Sequence, residues 1–189
     1  MSEILYPVLT APTLRGATGK PKEEMLPVVG EDGIVTAQMS RSFAHNGSKQ
    51  LHPVVHLHVI DRFGRVFLQK RSASKKLFPG LWDTAVGGHV TYGESVMEAL
   101  YRETREEIGL SDFNPVDLDS YVWESETERE WVNVYAAVGN FKLKPVNDEV
   151  EEGRYWTEEE ILDACGKHIL TPNFEQEYQR IRLALQALL

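Results

Sequence analysis

The chain has 189 residues, 42% of them hydrophobic, and a formal net charge of −9, which gives length enough for one well-buried core and one domain. So acidic a balance excludes nucleic acid as a bulk partner, because that needs a basic footprint. Cys165 stands alone, which rules out an internal disulfide and points to a reducing compartment, and no apolar segment approaches membrane-spanning length.

The first stretch, MSEILYPVLTAP, has an early acid and no apolar run of signal length, so the expected location is cytoplasmic. Residues 1–27 hold Pro7, Pro12, Pro21 and Pro27 with Gly16 and Gly19 and show no sustained period, which predicts an irregular extension ahead of one domain over 28–189. Val28 and Val29, the turn Gly30-Glu31-Asp32-Gly33 and Ile34 to Met39 predict a hairpin. Val54 to Ile60 is an apolar run interrupted by His56 and His58, which two residues apart share a strand face and are expected as half-buried polar positions. A turn over 61–64 leads to a strand from Arg65 to Gln69, a loop follows over 77–82, and Thr84 to Val86 is extended.

Gly88 to Leu110, GHVTYGESVMEALYRETREEIGL, is the stretch the chain is built around. Ser95 with Glu98 makes a capping box that starts a helix, and Gly109 stops it. Glu103, Glu106 and Glu107 stand at i, i+3 and i+4, on one face and at the helix end where the dipole disfavours anions. An ordinary ladder of Glu98, Arg102 and Glu106 would explain the arginine but not the placement of the acids. A hard divalent cation such as Mg²⁺ turns this liability into a site, since it takes carboxylate oxygens together with water and substrate phosphate.

Asp119 to Glu124, Trp131 to Val138 and Tyr155 with Trp156 have strand composition. Thr157 and Glu160 form a second capping box, opening a short helix to about Ala164. Thr171-Pro172 opens a last helix, whose stripe of Phe174, Tyr178, Ile181, Leu185 and Leu188 suits core packing or a homodimer surface. Strands on both sides of a central helix, with helices at the end, give a mixed α/β class.

The central stretch resembles the Nudix box: Gly88, then Glu94, the pair Arg102-Glu103, the pair Glu106-Glu107 and the closing Gly109-Leu110 all fall on that pattern, and the one departure is Thr104 at an aliphatic position. The resemblance implies an α/β/α sandwich with a mixed sheet and a loop-helix-loop catalytic box. It implies a pyrophosphohydrolase acting on a small-molecule nucleoside or isoprenoid diphosphate. Mg²⁺ or Mn²⁺ would be held by Glu103, Glu106, Glu107 and the Gly88 carbonyl, Arg102 would orient a catalytic glutamate, and Glu106 or Glu107 would act as general base.

Charge flanks the box unevenly. Residues 61–80 hold Arg62, Arg65, Lys70, Arg71, Lys75 and Lys76 against Asp61, whereas 111–131 are mostly acidic, which suits a basic wall for an anion facing an acidic wall for metal. The segment KRSASKKLFPGLWDTAVGGH resembles the matching region of the isopentenyl-diphosphate isomerase branch of the same superfamily. That likeness implies Arg71 and Lys75 as diphosphate contacts, and His45, His52, His89, Glu128 and Glu130 as a possible second metal site of transition-metal or Zn²⁺ character. The isomerase's catalytic cysteine falls at Gly87. Hydrolysis is therefore expected over isomerisation, and a ligand-sensing module without turnover is the other competing reading.

Overall fold

A computed structural model describes residues 23–75, 77–144 and 150–189. Most of the predicted extension, and Lys76, lie outside them. The hairpin is present: β1 (Met25–Val29) pairs antiparallel with β2 (Val35–Ser40), and it starts three residues earlier than expected because Met25 already pairs with Ser40. A single turn follows, α1 (Arg41–Ala44), capped by the Ser40 hydroxyl; it was not predicted, and it delivers His45.

The second sheet is built on β3 (Leu51–Ile60), whose residues are all buried. Pro53 and the histidines mask this length in the sequence, yet the strand runs parallel to β8 (Arg129–Val138) over its whole extent, from Leu51 opposite Arg129 to Ile60 opposite Val138. Beyond β8 lies β7 (Val116–Glu124), antiparallel. On the other side β3 touches β4 (Val66–Arg71) only at Val59 and Ile60. From Leu57 back to Val54 the edge of β3 is taken instead by β6 (Val86–His89), while β4 diverges to pair with β5 (Trp82–Asp83) and β9 (Val150–Trp156). The sheet is thus mixed and split, and the split opens the cleft.

Alternation along β3 separates two cores. Val55, Leu57 and Val59 pack with Ala99, Leu100 and Ile108 of α2 (Val96–Ile108). Val54 and Ile60 face the other way, toward Ile161 of α3 (Glu158–Ala164) and Phe174, Tyr178, Ile181 and Leu185 of α4 (Pro172–Gln186). These are the three layers of the expected sandwich. The apolar stripe of α4 is spent on this core, with Leu188 packed against it. Both capping boxes form as read, and Gly109 ends α2 in the left-handed conformation at φ 69°. Thr104 is fully buried, and its hydroxyl donates to the Leu100 carbonyl at 2.6 Å, which satisfies the polar atom that an aliphatic residue would lack. Among the described residues no helix is long and apolar enough to cross a membrane.

Candidate functional site

Where β3 and β4 part, a cavity of about 400 Å³ opens, within the range of small-ligand sites. Glu103, Glu106 and Glu107 all line it. Their positions follow from the helix start, because the capping box sets the phase of α2 against the sheet. Glu107 is buried, and its Oε2 accepts from Gln69 Nε2 at 2.8 Å. Glu103 lies against the backbone of Gly88: an ideal Cβ there would fall 2.1 Å from the Glu103 carboxyl carbon, so only glycine admits the carboxylate. Burial raises the Glu103 pKa, opposed by its hydrogen bond from Arg102.

The Glu98–Arg102–Glu106 ladder is not what forms. Glu98 is consumed by the cap, accepting from the Ser95 backbone at 2.8 Å. Arg102 instead grips Glu94 with two parallel bonds, Nε to Oε1 and Nη2 to Oε2, both 2.8 Å. Its Nη1 donates to Glu103 at 2.6 Å, with Glu106 at 3.4 Å, and Nη2 also reaches the His89 carbonyl at 3.0 Å. Planar, bidentate guanidinium geometry lets one residue lock the loop, the helix and β6 together. The Arg102 pKa is raised, first by the bond to Glu94.

Arg71 and Lys75 line the same cavity. Arg71 is fixed by Asp83, its Nη1 to Oδ2 at 3.1 Å, and by the Leu77 carbonyl, its Nε to O at 3.2 Å. Asp83 is buried and receives Thr171 Oγ1 and the Thr84 N–H on its other oxygen, each at 2.9 Å. Some charges of the flanks go elsewhere: Arg65 pairs with Asp61, Lys70 with Glu151, and Asp119 with Arg180. Only part of the expected basic and acidic walls therefore meets at the cavity.

His45, His52, His89, Glu128 and Glu130 come together in a second cluster. Ligand atoms of His52, His89 and Glu130 all lie within 4.8 Å of one another. The His52 and His89 rings stack at 5.4 Å, and His45 meets His89 edge-on at 5.0 Å while its Nδ1 bonds Glu128 Oε1 at 2.5 Å. Burial lowers the pKa of His52 and brings His89 well below its ordinary value, and it pushes Glu130 up to about 7. The Nε2 atoms of His52 and His89 are buried without a hydrogen-bond partner, a cost that a bound cation would remove. Neutral imidazoles with a lone pair free, next to a carboxylate, fit a transition metal or Zn²⁺.

Several residues of the cavity were not anticipated. Gln69, Asp83, Arg41 and Glu24 line it, and Arg41 pairs with Glu24 at 2.8 Å. Outside the cavity lining, Glu177 of α4 is fully buried and receives His56 Nδ1 at 2.8 Å, His58 Nε2 at 2.6 Å and the Tyr121 hydroxyl at 2.7 Å. The two histidines are thus not half-buried strand positions but donors to one carboxylate. Burial opposes charge on His56, but the Glu177 carboxylate more than offsets it and raises the imidazole to about 9. Glu177 itself is held far below the carboxylate range, burial being outweighed by the two histidines.

Known proteins resemble this chain in sequence and fold. The NUDIX domain pattern matches residues 50–176. A Nudix hydrolase of Yersinia pestis without an assigned substrate is 31% identical over 84% of this chain and 92% of its own length. An isopentenyl-diphosphate Delta-isomerase of Leifsonia xyli is also 31% identical, over 77% of this chain and 83% of its own. Among solved structures, a Deinococcus radiodurans protein superposes with a TM-score of 0.73 at 24% identity, covering 84% of this chain and 99% of that one. The NUDIX domain of Shewanella oneidensis NrtR, solved with ADP-ribose, gives 0.59 at 18% identity over 72% and 88%. These last two likenesses are of fold.

Proposed function

The chain belongs to the Nudix family of pyrophosphohydrolases, and from that premise we propose that it is a metal-dependent hydrolase of a nucleoside or isoprenoid type diphosphate. One observation carries the reading: Glu103, Glu106 and Glu107 line a single cavity together with Arg71 and Lys75. Mg²⁺ or Mn²⁺ held by the three glutamates and the Gly88 carbonyl would supply positive charge against phosphoryl oxygens and acidity for the attacking water. Arg71, braced by Asp83, and Lys75 bind the diphosphate as fixed cations. Arg102 holds Glu103 in place. Glu107 is buried and bonded to Gln69, whereas Glu106, half exposed and 3.4 Å from Arg102 Nη1, is the carboxylate that would take the proton of the water. His52, His89 and Glu130, flanked by His45 and Glu128, would hold a second cation and supply further positive charge beside the cavity. The lone Cys165 supports placing the enzyme in a reducing, cytoplasmic setting.

Phosphate or pyrophosphate release from a panel of diphosphates, run with Mg²⁺ and with Mn²⁺, tests this directly. The panel includes isopentenyl diphosphate and ADP-ribose, the ligand of one structural neighbour. Turnover of at least one compound is expected, and none with either metal, despite ligand binding, would favour a sensing module. Isomerisation needs an acid or base over a carbon skeleton, and Gly87, which lines the cavity, offers neither. Incubation with isopentenyl diphosphate in D₂O separates the reactions: label in recovered diphosphate, or dimethylallyl product, would overturn hydrolysis.

A further inference from the structure

Gly87 and Gly88 are adjacent and stand in β6 for different reasons. Gly88 is required by the approach of Glu103. Gly87 is not required sterically: a Cβ there would meet His56 Cδ2 at 3.5 Å, His56 Nε2 at 3.6 Å and Thr84 Cγ2 at 3.7 Å, all ordinary contacts, and its φ is not positive. Gly87 is exposed to the cavity although it lies between buried Val86 and partly buried Gly88. What the missing side chain leaves uncovered is the Nε2 edge of His56.

That edge is held from behind. The Nδ1 of His56 is committed to Glu177, which the His58 and Tyr121 donors fix in turn. A carboxylate buried this deeply carries a desolvation cost, and breaking such a pair is far more damaging than replacing it with apolar residues, so the brace is poor evidence of a stabilising device. It is well suited to another task, holding an imidazolium rigidly with one N–H aimed forward. The forward nitrogen, Nε2, has no hydrogen-bond partner among the described residues, the ring is about nine-tenths buried, and it lines the cavity.

We propose that His56 is a substrate-contacting residue: across the gap left by Gly87, its Nε2–H donates to a phosphoryl oxygen of the anion bound in the cavity. Glu177 is the positioning residue behind it. The inference rests on the reading of the cavity as a diphosphate site and adds a floor contact to the wall formed by Arg71 and Lys75. No proton is transferred; the imidazolium binds as a charge-assisted donor.

The test uses inorganic pyrophosphate with Mg²⁺ as the probe, by calorimetry on the whole protein, beside KM and kcat for whichever diphosphate is turned over. His56→Asn keeps an amide donor toward Glu177 and removes the forward nitrogen. Gly87→Ala leaves the brace intact and covers the same edge with a methyl group. Both are expected to weaken pyrophosphate binding by about 10- to 100-fold, the range for losing a hydrogen bond to a charged group, and to raise KM more than they lower kcat. His56→Gln, whose amide reaches the position of Nε2, should recover part of the loss. Wild-type affinity in Gly87→Ala overturns the proposal, whatever the folding of His56→Asn. Should no diphosphate be hydrolysed while pyrophosphate binding still depends on these two positions, the hydrolase reading fails and the contact stands. Turnover with unchanged KM and affinity in both variants sinks the contact alone.

Discussion

Glu103 shows how much a single residue depends on what its neighbour lacks. The carboxylate reaches the cavity only because Gly88 has no side chain, so Gly88→Ala must displace it or shift β6. Overpacking of this kind costs about 1–3 kcal/mol, and the expected result is a folded protein of lower melting temperature whose activity is largely lost; wild-type turnover would show that Glu103 is dispensable. Glu106→Gln and Glu107→Gln keep size and remove charge, and each should lower kcat by at least ~100-fold with little change in circular dichroism. Near wild-type kcat in both at saturating metal would remove the box from the mechanism. At this scale the sequence is informative where partners are close along the chain: the glutamates, Arg102 and both capping boxes are legible because helical spacing decides which of them meet. Asp83, Gln69 and Arg41 are not, since their partners Thr171, Glu107 and Glu24 come from other elements. No periodicity carries that information.

At the scale of elements, one residue type can hide the period of another. Pro53, His56 and His58 interrupt the apolar run of β3 in the sequence, although burial is continuous from Leu51 to Ile60. In α4 the apolar stripe marks the core face, but Glu177 sits beside it, one residue before Tyr178, and has the sequence signature of a solvated acid although it bonds His56 and His58. That pairing has a pH signature. The folded pKa of His56, about 9, lies above its ordinary 6.5, so its contribution to stability is complete below about 6.5 and is lost as pH rises through about 9. Glu177 is depressed below its ordinary 4.5, so its contribution is present above that value and is lost only in strong acid. The melting-temperature advantage of wild type over Glu177→Gln should therefore be greatest between pH 4.5 and 6.5 and shrink toward pH 9. A constant difference across that span would mean that the histidine is neutral in the folded protein.

At the scale of the whole molecule, the split of the sheet between β3 and β4 brings the two acidic clusters to one cavity, the box glutamates from α2 and the histidine-carboxylate group from the ends of β3, β6 and β8. A chain carrying a net charge of −9 concentrates unfavourable charge there, and repulsion among like charges opposes the compact state. Any cation that binds the folded chain and not the unfolded one must then stabilise it by mass action, by about 2.7 kcal/mol at one hundred times its dissociation constant. For a domain of this size that corresponds to a rise in melting temperature of roughly 5–10 °C. The two clusters differ in donor chemistry, so the rise should separate by metal and by variant. Mg²⁺ favours oxygen donors, and its shift should vanish in Glu107→Gln and persist in His52→Ala. Zn²⁺ favours imidazole, and its shift should behave in the opposite way. Each variant is compared with itself with and without metal, so any intrinsic loss of stability cancels. Melting curves indifferent to Mg²⁺, Mn²⁺ and Zn²⁺ would leave the crowding of acids at the end of α2 and the unpaired nitrogens of His52 and His89 without the counter-charge that this architecture calls for.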